Sequence, residues 1–327
     1  MNWQGKKVLV TGAGGFIGSH LAEALVEAGA EVTAFVHYNA LGTRGWLDRS
    51  PRSADMRCIA GDIADPDSVA DAVTGMEFVF HLAALIPIPY SYRAPRSYIR
   101  TNIEGTVNVL QAARQHGVGR IVHTSTSEVY GTARTVPIAE THPLQGQSPY
   151  SASKIGADKM AEAFHASFGV PVVTVRPFNT FGPRQSARAV IPTIILQLLS
   201  GGTVRLGSLV PTRDLNFVAN TAEGFICAAT APNVEGRTVN LGSGREISIG
   251  DLAALIARLM DRPLRIETGE ERLRPENSEV NRLLADATLA HELLGWQPEI
   301  DLEEGLRRTI AWVADNRDHF AGRDYVL

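Results

Sequence analysis

The stretch Val8-Leu9-Val10-Thr11-Gly12-Ala13-Gly14-Gly15-Phe16-Ile17-Gly18 decides the fold. Its apolar triplet reads as a buried strand, and the glycines turn the chain straight into a helix predicted over 19–27 and stopped by Gly29. Gly12, Gly15 and Gly18 serve three needs: a tight turn, close approach of the backbone to a pyrophosphate, and close packing of helix on strand. The helix N-terminus then faces the negative charge. Outward from this turn, further strands are predicted over 31–36, 56–59, 78–81, 120–123, 172–175 and 238–241, most of them separated by helical stretches. That alternation is the pattern of an α/β fold, a doubly wound parallel (Rossmann) sheet, with the glycine turn as its dinucleotide site.

The second strand should end in an acid for the adenosine ribose, but Phe35-Val36-His37-Tyr38-Asn39 stands there. NAD is therefore not selected over NADP by that rule, and Arg44 keeps NADP open. In Gly61-Asp62-Ile63 a carboxylate at a strand exit is placed either to accept from the adenine amino group or to close a solvated turn.

At 327 residues, 44% of them hydrophobic and 20% charged, the chain can bury a large core in one or two domains. A net charge of -4 sets up no global attraction to nucleic acid or an anionic membrane, so neither is expected as a partner. Cys58 and Cys227 lie far apart without metal-ligand spacing and read as reduced thiols, and the nine histidines show no ligand pattern, so no metal is expected. The first apolar run is too short for a signal-peptide core or a membrane span, and a soluble cytoplasmic protein is the expectation.

Ser148-Pro149-Tyr150-Ser151-Ala152-Ser153-Lys154 carries the chemistry. Ser148 can cap a helix whose first turn holds Pro149, and positions four apart share a helical face, which brings the Lys154 ammonium toward the Tyr150 phenol. A nearby cation favours the phenolate, so the tyrosine is expected to fall from about 10 toward neutrality, where it takes a proton from a substrate alcohol as hydride leaves.

Taken with His81-Leu82-Ala83-Ala84, with the run from Ser125 to Gly131 (Ser-Thr-Ser-Glu-Val-Tyr-Gly) and with that from Arg176 to Pro183, these motifs resemble the extended short-chain dehydrogenase/reductase family, the NAD-dependent epimerase/dehydratases that modify nucleotide sugars. The resemblance covers nearly the whole chain. Tyr38-Asn39, Gly45-Trp46-Leu47-Asp48 and the run 185–193 are most similar to the nucleotide-diphospho-N-acetylglucosamine 4,6-dehydratases of legionaminic-acid-type pathways. The resemblance implies NAD held by Gly12, Gly15, Phe16, Ile17, Gly18, His37, Asp62, Ile63, Leu82, Ala83, Ala84, Tyr150 and Lys154, with Thr126 on the sugar 4-hydroxyl. It also implies an internal redox cycle: oxidation at C4, loss of the C5 proton to Glu128, departure of the C6 hydroxyl as water, and hydride return to C6. If the strand persists, Thr126 and Glu128 point to one side, and Ser127 points to the other unless the chain turns there. Many such dehydratases carry aspartate as the acid where Ser127 stands, and serine is a far poorer acid, so Glu128 would have to serve both steps. The Thr-Ser-Glu order also resembles UDP-glucuronate decarboxylases. A 4-epimerase needs only the cofactor, Thr126, Tyr150 and Lys154, and a dinucleotide-sensing scaffold needs only the turn.

The expected division is a Rossmann domain over 1–182 and 236–244 and a nucleotide-sugar-binding domain over 183–235 and 245–327, the latter of amphipathic stretches and loops. Arg176, Arg184, Arg188, Arg205 and Arg213 give its approach a basic bias from which a diphosphate would draw partners. By resemblance, Asn179, Arg213 and Arg274 bind the substrate's nucleotide diphosphate, Arg188 joins them, and Ile86 in the loop 85–92 lines the sugar pocket. Family likeness implies a homodimer through helices beginning near Thr101 and Tyr150.

Overall fold

β1 (Lys7–Thr11) is buried from Val8 onward, as a strand covered on both faces must be. It lies at the centre of a sheet in the computed structural model, which describes residues 2–201, 203–269 and 280–320. Beside it run β2 (Glu31–His37), β3 (Arg57–Gly61), β4 (Phe78–His81), β5 (Arg120–Thr124) and β6 (Val172–Pro177), and the strand Thr238–Leu241 closes one edge. The order is the 238–241 strand, β6, β5, β4, β1, β2, β3, with every pairing parallel. The predicted strands are all present, within two residues at each end.

Strand alternation sorts the core. Val8, Val10, Ala34, Phe80 and Val122 face one apolar cluster, while Leu9, Phe35, Val79 and Ile121 face another on the opposite side. The order reverses between β1 and β4, so their carboxyl ends open a crevice at the switch point where such sheets bind ligands.

Beyond β6 the chain builds a third core from the helices Val190–Ser200, Ile249–Leu259 and Leu302–Asp315. Short strands, not predicted, organise this part: Thr203–Leu206 pairs with Arg265–Thr268, Thr180–Phe181 with Asn216–Phe217, and Thr212–Asp214 lies between Glu246–Ser248 and Arg282–Leu283. With two to four residues each they leave little periodicity to read. The loop after β2 bridges both parts, for the Trp46 ring lies 5.3 Å from Trp312 and 4.2 Å from His319. No described helix is long and apolar enough to cross a membrane.

Candidate active site

The glycine turn is built to very close tolerances. Gly12 sits at φ +71°, and a Cβ there would lie 2.8 Å from the Ala83 nitrogen; one on Gly18 would lie 2.2 Å from the Gly12 oxygen. The helix Phe16–Glu27 begins directly after Gly15, three residues earlier than predicted, and no side chain caps it. Its free first-turn N–H groups and dipole therefore suit a pyrophosphate, and an exposed Gly15 leaves the approach open. Gly14, not assigned a role from sequence, admits the next loop: Trp46 N–H donates to its carbonyl at 2.9 Å, and a Cβ would lie 2.5 Å from the Arg44 oxygen.

Thr11 ties this turn to β4. Its hydroxyl accepts from the Leu82 and Ala83 amides at 3.1 Å each and pairs with His81 Nδ1 at 2.9 Å. Ala83 and Ala84 follow β4 at the crevice, while Ile63 is buried against Gly105. His37 is the exposed last residue of β2. Asp62 takes the turn role, its Oδ1 accepting from the Ala64 amide at 2.9 Å. Arg44 is paired with Asp48, which accepts from its backbone N–H at 2.9 Å and from Nε at 2.8 Å.

The helix Pro149–Phe168 starts as predicted. Ser148 caps it, Pro149 occupies the first position, and Ser151 completes a reciprocal capping box. Tyr150 and Lys154 are 8% and 4% exposed on the face turned to β5. The Thr126 hydroxyl stands near enough to favour the ionised phenol, and Lys154 Nζ donates to the Thr124 carbonyl at 2.6 Å. Asn102 braces the group: it accepts from Leu85 N–H at 2.8 Å and donates to the Leu85 carbonyl and to Ser153 Oγ, which in turn donates to the Tyr150 carbonyl at 2.7 Å. It lies in the π-helix Ile99–Glu104, a form often found at functional sites.

One expectation fails here. Burial pushes the Tyr150 phenol well above its ordinary value, and Glu128 adds to the rise, against a smaller lowering by the Thr126 hydroxyl. Lys154 does not bring it down, because its own ammonium is buried, lowered to about 8, and committed to the Thr124 carbonyl. Of the two courses open after β5, the chain takes the turn: β5 stops at Thr124, and Ser127–Tyr130 forms a 3-10 turn capped by Thr126, whose hydroxyl accepts from Glu128 N–H at 3.2 Å. Ser127 is buried and Glu128 half-buried, close enough to act on the phenol electrostatically.

The arginines divide. Arg176 is not available to a diphosphate; it is 2% exposed and donates from Nε and Nη2 to Asp158 Oδ2 at 3.2 and 3.0 Å. Arg184 reaches back to Glu23 at 2.8 Å, and Arg205 is an exposed partner of Glu267. Their charges are spent on packing the chain, which residue type alone does not reveal. Arg213 is buried with Nη1 on the Thr212 carbonyl at 2.9 Å, and Arg188 is exposed in the loop before the helix Val190–Ser200. Asn179 holds a buried Oδ1 without a hydrogen-bond partner, as a residue awaiting a donor would. Ile86 is 62% exposed beside the crevice, and Arg274 lies outside the described residues.

A tyrosine, a threonine and a lysine over the carboxyl ends of β4 and β5, facing an uncapped glycine turn, suit proton removal from an alcohol as its carbon loses hydride. That is the chemistry of dinucleotide-dependent short-chain oxidoreductases. The family profile described as GDP-mannose 4,6 dehydratase matches residues 9–309. A dTDP-glucose 4,6-dehydratase of an Actinoplanes species is 34% identical over 320 residues, covering 95% of this chain and 98% of its own. A UDP-glucose 4-epimerase of Mycolicibacterium smegmatis is 33% identical over 315 residues, with 93% and 97% covered. Among solved structures, a double mutant of the dTDP-glucose 4,6-dehydratase DesIV of Streptomyces venezuelae, with NAD and DAU bound, superposes with a TM-score of 0.87 at 30% identity, covering 96% and 98%. The chain belongs to the NAD-dependent epimerase/dehydratase family, whose relatives here are nucleotide-sugar 4,6-dehydratases and 4-epimerases.

Proposed function

We propose that this enzyme is a nucleotide-sugar 4,6-dehydratase acting on a UDP- or GDP-linked N-acetylglucosamine. Glu128 beside the Thr126–Tyr150 pair carries the reading, because dehydration needs a second base that epimerisation does not. The N-acetyl assignment rests on the likeness of residues 38–39, 45–48 and 185–193 to dehydratases of that substrate class. NAD fits the uncapped turn at Gly15, where added Cβ atoms on Gly12 and Gly18 would collide with backbone. When bound it supplies the acceptor and later the donor of one hydride.

Thr126 and Tyr150 position the 4-hydroxyl; Tyr150 takes its proton as the phenolate while C4 is oxidised, and because burial holds the phenol neutral in the ligand-free protein, the positive charge of bound NAD+ would have to join that of Lys154 to favour that form. Lys154 supplies the positive charge beneath that step. The 4-ketone acidifies C5, whose proton Glu128 takes and hands to the C6 oxygen as water leaves, Ser127 being too weak an acid to do so; the resulting 5,6-alkene would be completed by hydride at C6 and a solvent-derived proton at C5. Asn179, Arg213 and Arg188 are assigned to the substrate diphosphate, within a nucleotide-sugar-binding part over 183–235 and 245–327; the Rossmann part spans 1–182 and 236–244. A cytoplasmic homodimer paired through the helices that begin near Thr101 and Tyr150 completes the proposal.

Incubation with NAD+ and a panel of UDP- and GDP-N-acetylglucosamine and UDP-glucuronate tests the assignment. Loss of water from an acetylhexosamine supports it, whereas loss of carbon dioxide from the glucuronate makes the enzyme a decarboxylase. Tyr150→Phe should lower turnover by about 10²- to 10⁴-fold with cofactor still bound. Turnover unchanged in that variant would contradict its role.

A further inference from the structure

His81 is 3% exposed, and the reaction outlined above does not use it. It ends β4 directly opposite Thr11 on β1, and both of its ring nitrogens are occupied. Nδ1 lies 2.9 Å from the Thr11 hydroxyl, and Nε2 lies 3.1 Å from that of Thr106 in the helix Gly105–His116. Counting donors fixes which nitrogen carries the proton. The Thr11 hydroxyl oxygen accepts from the Ala83 amide and from the Leu82 amide, the latter shared with the Thr11 carbonyl, so its own proton goes to Nδ1. At the other end Thr106 gives its proton to the Asn102 carbonyl at 2.6 Å and therefore accepts from Nε2. Both ends demand the same form, a neutral imidazole protonated at Nε2. Burial, joined by the charges of His123 and Lys154, holds the ring well below its ordinary value and so favours that neutral form.

The two ring bonds join the two halves of the crevice. Thr11 adjoins Gly12 in the nucleotide turn, and its hydroxyl holds the amide nitrogen of Ala83, the atom that a Cβ on Gly12 would meet at 2.8 Å. Thr106 bonds the backbone of Asn102, whose side chain grips both polar groups of Leu85 and donates to Ser153 Oγ, which donates to the Tyr150 carbonyl. Thr11, His81, Thr106, Asn102 and Ser153 are each 3% exposed or less, so the run of bonds is closed to water. We propose that His81 is a positioning residue, a strut of fixed tautomer that holds the nucleotide turn and the Tyr150 backbone in register with one another. The proposal rests on reading the turn as the NAD site and Tyr150 as the catalytic phenol.

Nitrogen-15 labelling of histidine lets the tautomer be read by NMR in the ligand-free protein, with no substrate needed, and the His81 signals are those missing from its variants. His81 should show a protonated Nε2 and a bare Nδ1. Two substitutions then cut the strut at opposite ends, because the amide of asparagine reaches the place of Nδ1 and that of glutamine the place of Nε2. His81→Asn keeps an acceptor for Thr11 and loses Thr106, so it should lower kcat about tenfold and weaken NAD+ binding less. His81→Gln keeps a donor for Thr106 and leaves the Thr11 hydroxyl without its acceptor, so it should weaken NAD+ binding about tenfold in a calorimetric titration and lower kcat less. If neither variant folds, Thr106→Val, which removes the Nε2 partner with little change in volume, is read as His81→Asn is. A protonated Nδ1 overturns the proposal, and so do variants that leave both quantities unchanged or lose both in equal measure. Absence of turnover in the wild type, with the Nε2 proton seen and NAD+ weakened by His81→Gln, overturns the catalytic reading instead.

Discussion

Replacing Lys154 by methionine should make the protein more stable and inactive together. The ammonium is 4% exposed, and burial brings it from 10.5 to about 8. That gap, at about 1.4 kcal/mol per unit, amounts to about 3 kcal/mol. The folded value is the lower one, so the unfolded chain holds the extra proton between pH 8 and 10.5 and stability rises with pH across that window. Below pH 8 the whole penalty is present. Lys154→Met keeps the length of the side chain without its charge, so at pH 7 it should gain about 3 kcal/mol in unfolding free energy and several degrees in Tm. The gain should shrink toward nothing by pH 10.5. Denaturant titrations of the ligand-free protein at both pH values read it directly, with nucleotide-sugar turnover measured alongside. A variant at pH 7 no more stable than wild type would refute the reasoning, because the Thr124 carbonyl and Asp158 would then outweigh burial.

Three further outcomes follow from the geometry. Gly12→Ala combines a φ of +71° with a Cβ 2.8 Å from the Ala83 nitrogen, and should weaken NAD+ binding at least about tenfold in a calorimetric titration, the left-handed backbone alone costing about 1–2 kcal/mol. Glu128→Gln should lower water loss by about 10²- to 10⁴-fold while leaving C4 oxidation, so reduced nicotinamide accumulates in absorbance; product formed at the wild-type rate would exclude Glu128 as the base. Asn102→Ala leaves both Leu85 backbone groups without the brace and removes the donor to Ser153 Oγ, which keeps its bond to the Tyr150 carbonyl, and should cost about 2–3 kcal/mol in unfolding free energy; a loss under about 0.5 kcal/mol would show that water replaces the brace.

What the sequence revealed and what it hid have different physical origins. The sheet was legible because its strands are short apolar runs, buried on both faces and punctuated by helices, and because the glycine turn leaves no room for side chains. The cap at Ser148 and the shared face of Tyr150 and Lys154 were legible as local helix geometry. Arg176 was misread since only tertiary contact reveals that its charge belongs to Asp158, and Asp158 was missed although it continues the four-residue step from Lys154. The expected lowering of the tyrosine failed for a related reason: spacing places two groups on one face but says nothing of how deeply both are buried. The choice between strand and turn at Ser127 stayed open because alternation gives directions only while a strand lasts, and Thr126 ends it by capping.

The most direct measurement of the central claim is mass spectrometry of the product formed from UDP- or GDP-N-acetylglucosamine in deuterium oxide. The account predicts loss of one water with one carbon-bound deuteron gained at C5, where Glu128 opened the C–H bond. A product of unchanged mass with no carbon-bound deuterium would contradict it and leave an epimerase.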